Sequence, residues 1–174
     1  MYFLEEPFIS IRSFFEAGGD VLWAIFAVTM LMWTLIIERV WFFRSILPNM
    51  FRATIREWEE REDKTSWNAM QIRAQMISEV SLESHRNISI VQVLMVLLPL
   101  LGLLGTVTGM IQVFNVMAVA GTSNARLMAG GVSAATIPTM AGLVAALSGL
   151  YLAIHLKKRA DKVVHSLESV LCES

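Results

Sequence analysis

The sequence contains a single cysteine, Cys172, and its basic and acidic residues nearly balance, with a net charge of −1. One cysteine cannot form an internal disulfide, so the fold does not depend on an oxidising compartment. A balanced charge without a long basic patch gives no electrostatic case for nucleic-acid binding. The GxSxG, HExxH, P-loop and paired-cysteine motifs are also missing, and we therefore expect no enzymatic activity, no metal and no cofactor.

Charge is scarce over much of the chain. Between Ser89 and Ile154 the only charged residue is Arg126. Across the 174 residues, 55% are hydrophobic and 17% are charged. This composition is too apolar for an ordinary soluble domain and indicates a polytopic membrane protein.

Three segments are apolar and long enough to cross a membrane. Residues 21–37 carry no charge and predict a first spanning helix over 20–43. A second helix over 88–119 would be roughly 48 Å long, which exceeds the ~30 Å hydrocarbon core. It should therefore extend into the cytoplasm or kink at Pro99. The third helix is expected over 130–156, after a loop at 120–129 that turns at Gly121 to Asn124.

The distribution of basic residues predicts the orientation. Arg39 and Arg44 follow the uncharged residues 21–37 of the first span, and the third span is followed by Lys157, Lys158, Arg159 and Lys162. The positive-inside rule then places the N-terminus outside and the C-terminus in the cytoplasm. Residues 157–174 should continue the third helix, because a helical apolar stripe runs through Leu156, Val163, Leu167, Val170 and Leu171.

The remaining segments are expected to be helical and amphipathic. Residues 44–87 form a cytoplasmic region with apolar stripes on both sides of a polar break at Arg61 to Ser66, which predicts a helical hairpin. The stripes are formed by Phe51, Ile55 and Trp58 before the break and by Ala69, Ile72, Met76 and Val80 after it. Residues 1–19 contain a stripe formed by Leu4, Phe8, Ile11 and Phe15, ended by Gly18 and Gly19. This segment lies in the membrane interface or docks on the protein's own core. Asp20 is expected to cap the N-terminus of the helix that follows.

The predicted spans carry hydroxyl and small residues that a simple anchor does not need. Gly105 and Gly109 have the spacing that lets two helices approach closely, and this favours tight packing and an oligomer. Thr106 and Thr139 either line a pore or bond to a carbonyl one turn back in their own helix. No carboxylate or ammonium group lies in the membrane core, so a proton path would need a titratable group from a partner.

Three stretches resemble one family. Pro99 to Met110 reads PLLGLLGTVTGM, Gly131 to Leu143 reads GVSAATIPTMAGL, and the stretch from Glu38 to Arg44 contains an E-R pair followed by Trp41. Together they resemble the MotA/TolQ/ExbB proton channel family over most of the chain. The short length and modest cytoplasmic region are most similar to ExbB, then TolQ, and least to MotA, which carries a larger cytoplasmic insertion.

The resemblance implies a multi-pass, ring-shaped homo-oligomer in the inner membrane of a Gram-negative bacterium. Five copies would surround a dimer of an ExbD-type single-span partner, which supplies the titratable Asp, and would pass proton-motive force to a TonB-type protein for outer-membrane import. Thr106 and Thr139 would be pore-lining. The residues that pack the helices together or shape the pore would be Gly105, Gly109, Ala134, Pro138 and Gly142. Many ExbB and TolQ proteins carry a Glu at the position of Ala134, so this subunit departs from the family there.

Three other functions stay open at this point. The chain could be a TolQ-like subunit of a Tol-Pal-type envelope system, or a non-conducting membrane scaffold whose cytoplasmic helices recruit partners. A small-solute transporter subunit is the third, but the inverted repeats typical of such proteins are not found between residues 1–87 and 88–174.

Overall fold

A computed structural model describes residues 5–64, 66–120 and 125–173, and these residues are almost entirely helical. The helices are α1 (Glu5–Ser45), α2 (Leu47–Glu59), α3 (Trp67–His85), α4 (Ile88–Ala120) and α5 (Ala125–Glu173). The predicted all-α fold is confirmed. Pro99 lies inside α4 and Pro138 inside α5, and neither proline ends its helix.

Within the described residues, three helical segments are long and apolar enough to cross a membrane. They are Gly19–Ser45, Trp67–Val119 and Met128–Cys172. Large apolar side chains are exposed along them, among them Trp23, Leu103 and Val144, as expected for surfaces that contact lipid rather than water. The prediction of three candidate membrane-spanning helices is therefore confirmed.

α1 contains a sharp break at Gly19. This residue has φ 64° and ψ −163°, a backbone conformation that glycine adopts without the steric cost of a side chain. The sequence predicted the end of a first helix at this point. Leu4 and the side chains of the predicted amphipathic stripe lie outside the described residues, as does the predicted turn at Gly121 to Asn124.

The chain divides into two compact units. The first contains the described residues as far as Met32, together with Val93–Gly149. Its buried side chains include Leu22, Ile25 and Leu98. The second contains Trp33–Gln92 and the described residues from Leu150 onward. The apolar residues buried in the second unit include Trp58, Ala69, Met76, Val80, Leu156, Leu167 and Leu171, which lie on the stripes read from the sequence.

Three junctions interrupt the helices of the second unit, and the first is at Ile46, between α1 and α2. α2 and α3 flank the predicted polar break, and the Ser66 hydroxyl accepts a hydrogen bond from the backbone N–H of Asn68 to cap α3. α3 and α4 meet at Asn87, which has a positive φ of 61°. Asparagine adopts this left-handed conformation more readily than most residues, so it suits a sharp elbow between two helices. Near the end of α5, Cys172 is a free and exposed thiol.

Candidate functional site

The first unit brings α4 and α5 together along a seam of small residues. A β-carbon on Gly102 would lie 2.9 Å from the Cα of Thr139, and one on Gly109 would lie 2.7 Å from the Cβ of Ala135. Between them, Gly105 faces the buried ring of Pro138 so closely that a β-carbon would overlap it. The two helix backbones therefore approach at distances that larger side chains would not allow.

The seam continues toward the other end of the first unit. A β-carbon on Gly142 would lie 2.6 Å from the carbonyl oxygen of Leu98 on α4. Gly149 instead faces α1, where its β-carbon would meet the sulfur of Met32 at 2.6 Å. α5 thus uses glycine to contact two different helices. The contact of Gly142 is with backbone, which leaves no room for a methyl group, whereas the contact of Gly149 is with a flexible side chain.

Thr139 lies on this seam and bonds across it. Its hydroxyl donates to the carbonyl oxygen of Gly102 on α4, at 2.8 Å, and the side chain is half-buried. In an α-helix the carbonyl of residue 102 also accepts the backbone N–H of residue 106. The Thr139 hydroxyl therefore shares an acceptor with the backbone of Thr106, which couples the two positions through a single peptide group.

The side chain of Thr106 behaves differently. Its hydroxyl donates to the carbonyl of Leu103 in its own helix, at 2.7 Å. Thr108 and Thr136 likewise donate to carbonyls three or four residues back. Within the described residues, Thr106 and Thr139 make no hydrogen bond with each other. Thr106 lies on α4 and bonds within it, whereas Thr139 lies on α5 and bonds to α4. Only the Thr139 hydroxyl therefore links two helices.

A cavity of about 470 Å³ adjoins the seam in the first unit. Its wall includes four of the seven site residues predicted from the sequence, namely Gly105, Gly109, Ala134 and Pro138. The polar side chains on the wall belong to Asp20, Thr108 and Gln112. Because it combines hydroxyl, amide and carboxylate groups with open volume, the cavity can hold water, which needs polar partners and room.

Asp20 is the wall residue that sequence reasoning did not select. It follows the break at Gly19 directly, and the sequence favoured a helix-capping role for it. Asp20 is the sole ionisable residue among those lining the cavity, where Ala134 supplies only a methyl group. The two consecutive glycines before an isolated acidic residue were the available signal, because they allow the backbone to turn that residue toward α4 and α5.

Arg39 forms a second polar site, in the second unit. Its side chain is 2% exposed, and its Nη1 donates to the backbone carbonyl of Glu83 at 2.9 Å. The guanidinium lies over Phe42, 4.8 Å from the ring centroid. Its Nε is 3.3 Å from the carboxylate of Glu38, an ion-pair distance without hydrogen-bond geometry. Arg39 thus places a cation at the C-terminal end of α3, where the free carbonyls of a helix favour one.

Glu38 extends the Arg39 site to the elbow between α3 and α4. The Asn87 side-chain amide donates to the Glu38 carboxylate at 3.1 Å. The E-R pair of α1 therefore makes two contacts at the elbow. Arg39 bonds to the last turn of α3, and Glu38 bonds to the side chain of Asn87. Among the described residues, no group of three His, Cys, Asp or Glu side chains could hold a metal ion.

Comparison with models of known protein families gives a match to this chain. The model of a family described as the MotA/TolQ/ExbB proton channel family matches residues 43–169, which cover most of the chain. The matched region includes the whole small-residue seam, Thr139 and the cations that follow the third span. A search of curated proteins finds no match to the chain.

Proposed function

The chain belongs to the MotA/TolQ/ExbB proton channel family, and we propose that it is the ExbB-type stator subunit of an inner-membrane motor. In this proposal, five copies form a ring around the helices of an ExbD-type dimer. The ring couples proton-motive force to a TonB-type protein, which uses this energy to drive import across the outer membrane. The subunit lies in the membrane with its N-terminus outside and its C-terminus in the cytoplasm.

The observation that carries this proposal is the position of Thr139. Its hydroxyl bonds across the α4–α5 seam to Gly102, in a span that holds no carboxylate of its own. A hydroxyl in this position can exchange one acceptor for another at small cost, because a single hydrogen bond between membrane helices contributes only about 0.6 kcal/mol on average. The Thr139 hydroxyl can therefore donate instead to a charged group that a partner brings close to it.

The titratable group is proposed to be an Asp on the ExbD-type partner. A charged carboxylate in the membrane is expensive, and protonation removes a penalty of several kcal/mol. Protons entering from the outer face would neutralise this Asp near Thr106 and Thr139. They would leave toward the cytoplasm as the partner turns or shifts in the ring. The subunit contributes hydroxyls, close packing and water-accessible volume, and it carries out no bond-making chemistry of its own.

Proton flux into liposomes tests this function directly. The protein is reconstituted with its ExbD-type partner, and acidification is followed with a pH-sensitive dye under an imposed membrane potential. We expect flux only when both proteins are present, and we expect it to be lost when the partner's membrane Asp is replaced by Asn. Complexes that assemble fully but conduct no protons would instead identify a passive scaffold.

A second readout separates the ExbB-type role from the TolQ-type role. In a strain lacking the chain, restored uptake of a TonB-dependent substrate supports the ExbB-type assignment. Restored resistance to detergent, without restored uptake, would instead support a subunit of a Tol-Pal-type envelope system. Both outcomes retain the proton-channel function and differ only in the energy transducer that receives the work.

A further inference from the structure

The second unit contains a cavity that plays no part in the proposed proton path. Its volume is about 560 Å³. One wall comes from the end of α1 and the start of α2, and the other from a single stretch of α5. The lining residues are Phe43, Arg44, Leu47, Pro48, Phe51, Arg52, Arg159, Lys162, Val163 and Ser166.

The charged side chains described in the lining of this cavity are all basic. Arg44 and Arg52 contribute from the α1–α2 wall, and Arg159 and Lys162 contribute from α5. The described residues of the lining include no acidic side chain. Among the described residues, none of these four cations forms a salt bridge. Four cations held around one concave surface repel one another, and an anionic ligand would relieve that repulsion.

Apart from Ser166, the rest of the lining is apolar. Phe43 and Leu47 are buried, and Phe51 and Val163 are half-buried. A small soluble anion such as phosphate gains nothing from this part of the wall. A ligand that carries both an anionic group and hydrocarbon can use the cations and the apolar side chains together.

The position of the cations along the helices identifies the source of such a ligand. Arg44 follows the uncharged part of α1 after a few residues, and Arg159 follows the uncharged part of α5 in the same way. At ~1.5 Å per residue, five residues beyond Ile154 correspond to roughly 8 Å, which reaches from the hydrocarbon into the headgroup layer. Lipid phosphates lie at this level, and basic pockets between membrane helices bind anionic headgroups.

We propose that this cavity binds an anionic phospholipid, with its phosphate among Arg44, Arg52, Arg159 and Lys162 and its upper acyl region against Phe43 and Leu47. The lipid would bridge α5 to the junction of α1 and α2. It would therefore stabilise the second unit in membranes that contain anionic lipid. This binding requires membrane insertion but not proton conduction, so it and the proposed function can fail separately.

The test compares two double variants with the same change in net charge. R52Q/K162Q removes one cation from each wall of the cavity. R56Q/K157Q removes two exposed cations from the same two helices, outside the cavity lining. Each protein is purified in detergent, and binding of phosphatidylglycerol and of phosphatidylcholine is measured by native mass spectrometry. Thermal melting in each lipid provides a second measurement.

We expect the unmodified protein to bind phosphatidylglycerol in preference to phosphatidylcholine. Each lost cation should weaken this binding about fivefold, so R52Q/K162Q should bind about 25-fold more weakly. R56Q/K157Q should retain most of its affinity. R52K/K162R keeps the charge and should restore binding, which distinguishes loss of the site from loss of folding.

Several results would overturn the proposal. Equal weakening by the two Gln double variants would indicate diffuse surface attraction rather than a site. Stabilisation by inorganic phosphate as large as that by phosphatidylglycerol would indicate a soluble anion site. If R52Q/K162Q binds the lipid normally but no longer binds a protein partner, the cavity instead docks an acidic segment of that partner.

Discussion

The hydroxyl of Thr139 on α5 lies 2.8 Å from the carbonyl oxygen of Gly102 on α4 and donates a hydrogen bond to it. Most hydroxyls described in the first unit, such as those of Thr108 and Thr136, bond within their own helix. The Thr139 bond therefore links two neighbouring helices at the position where the family resemblance implies a pore-lining residue. This relationship makes Thr139 the first residue to test.

Replacing Thr139 with Val keeps the shape of the side chain and removes the bond to Gly102. We expect proton flux through the reconstituted complex to be lost, while the free energy of unfolding changes by only about 1 kcal/mol or less. Thr139→Ser should retain flux because it keeps the hydroxyl. Thr136→Val is the matched control, since the Thr136 hydroxyl bonds within α5. Normal flux in Thr139→Val would remove Thr139 from the proton path.

Gly142 tests the close approach of the two helices. In Gly142→Ala the new methyl group would meet the Leu98 carbonyl oxygen at 2.6 Å, and backbone cannot move away as a flexible side chain can. We expect a loss of about 1–3 kcal/mol in the free energy of unfolding, with a lower melting temperature in detergent. Gly130→Ala is the matched control because nothing lies within 4 Å of its added methyl group. It should leave stability unchanged or slightly raised. A Gly142→Ala protein as stable as Gly130→Ala would contradict the tight seam.

Arg39 tests the connection between α1 and the end of α3. Arg39→Gln removes the buried cation and its bond to the Glu83 carbonyl, which should cost about 2 kcal/mol. Hydrogen exchange of the backbone amides in the last turn of α3 should become faster, because that turn loses its contact with α1. Arg86→Gln is the matched control, since Arg86 is 65% exposed and makes only a surface pair with Glu83. Equal exchange in the two variants would show that Arg39 does not hold α3.

Asp20 tests the cavity beside the seam. Asp20→Asn preserves the size of the side chain but removes the only ionisable group among the described residues of the cavity wall. If water in this cavity delivers protons toward the seam, flux should fall several-fold while assembly with the partner is retained. Asp20→Glu should restore most of the flux. Flux that is unchanged in Asp20→Asn would show that protons reach the seam by another route.

Much of the fold could be predicted from the sequence because helical periodicity and length are local properties. The stripes ending in Trp58 and Leu171 predicted the buried faces, and the polar run from Arg61 to Ser66 predicted the gap between α2 and α3. The elbow at Asn87 was not predicted. A positive φ at a single Asn leaves no periodic signal, and it is stabilised by Glu38, which is 49 residues away.

The candidate site was predicted less completely, for a related reason. Residue type and spacing identified Thr139 and the glycines, but the acceptor of the Thr139 hydroxyl lies on another helix, 37 residues away. The hydrogen bond of Arg39 likewise reaches a carbonyl on α3, that of Glu83, which is 44 residues away. Asp20 was interpreted as a helix cap because its position in the sequence does not show that the break at Gly19 places it beside α4 and α5.

Cys172 provides the chain with a natural chemical label. It is the only thiol in the sequence, and it is exposed near the end of α5. A maleimide that cannot cross membranes would therefore react at a single known position, from whichever compartment contains that end of the helix. Labelling in intact spheroplasts, compared with labelling in inverted vesicles, reports which side of the membrane α5 reaches without any engineered tag. The same thiol could carry a fluorophore that reports the distances between copies in an assembled ring.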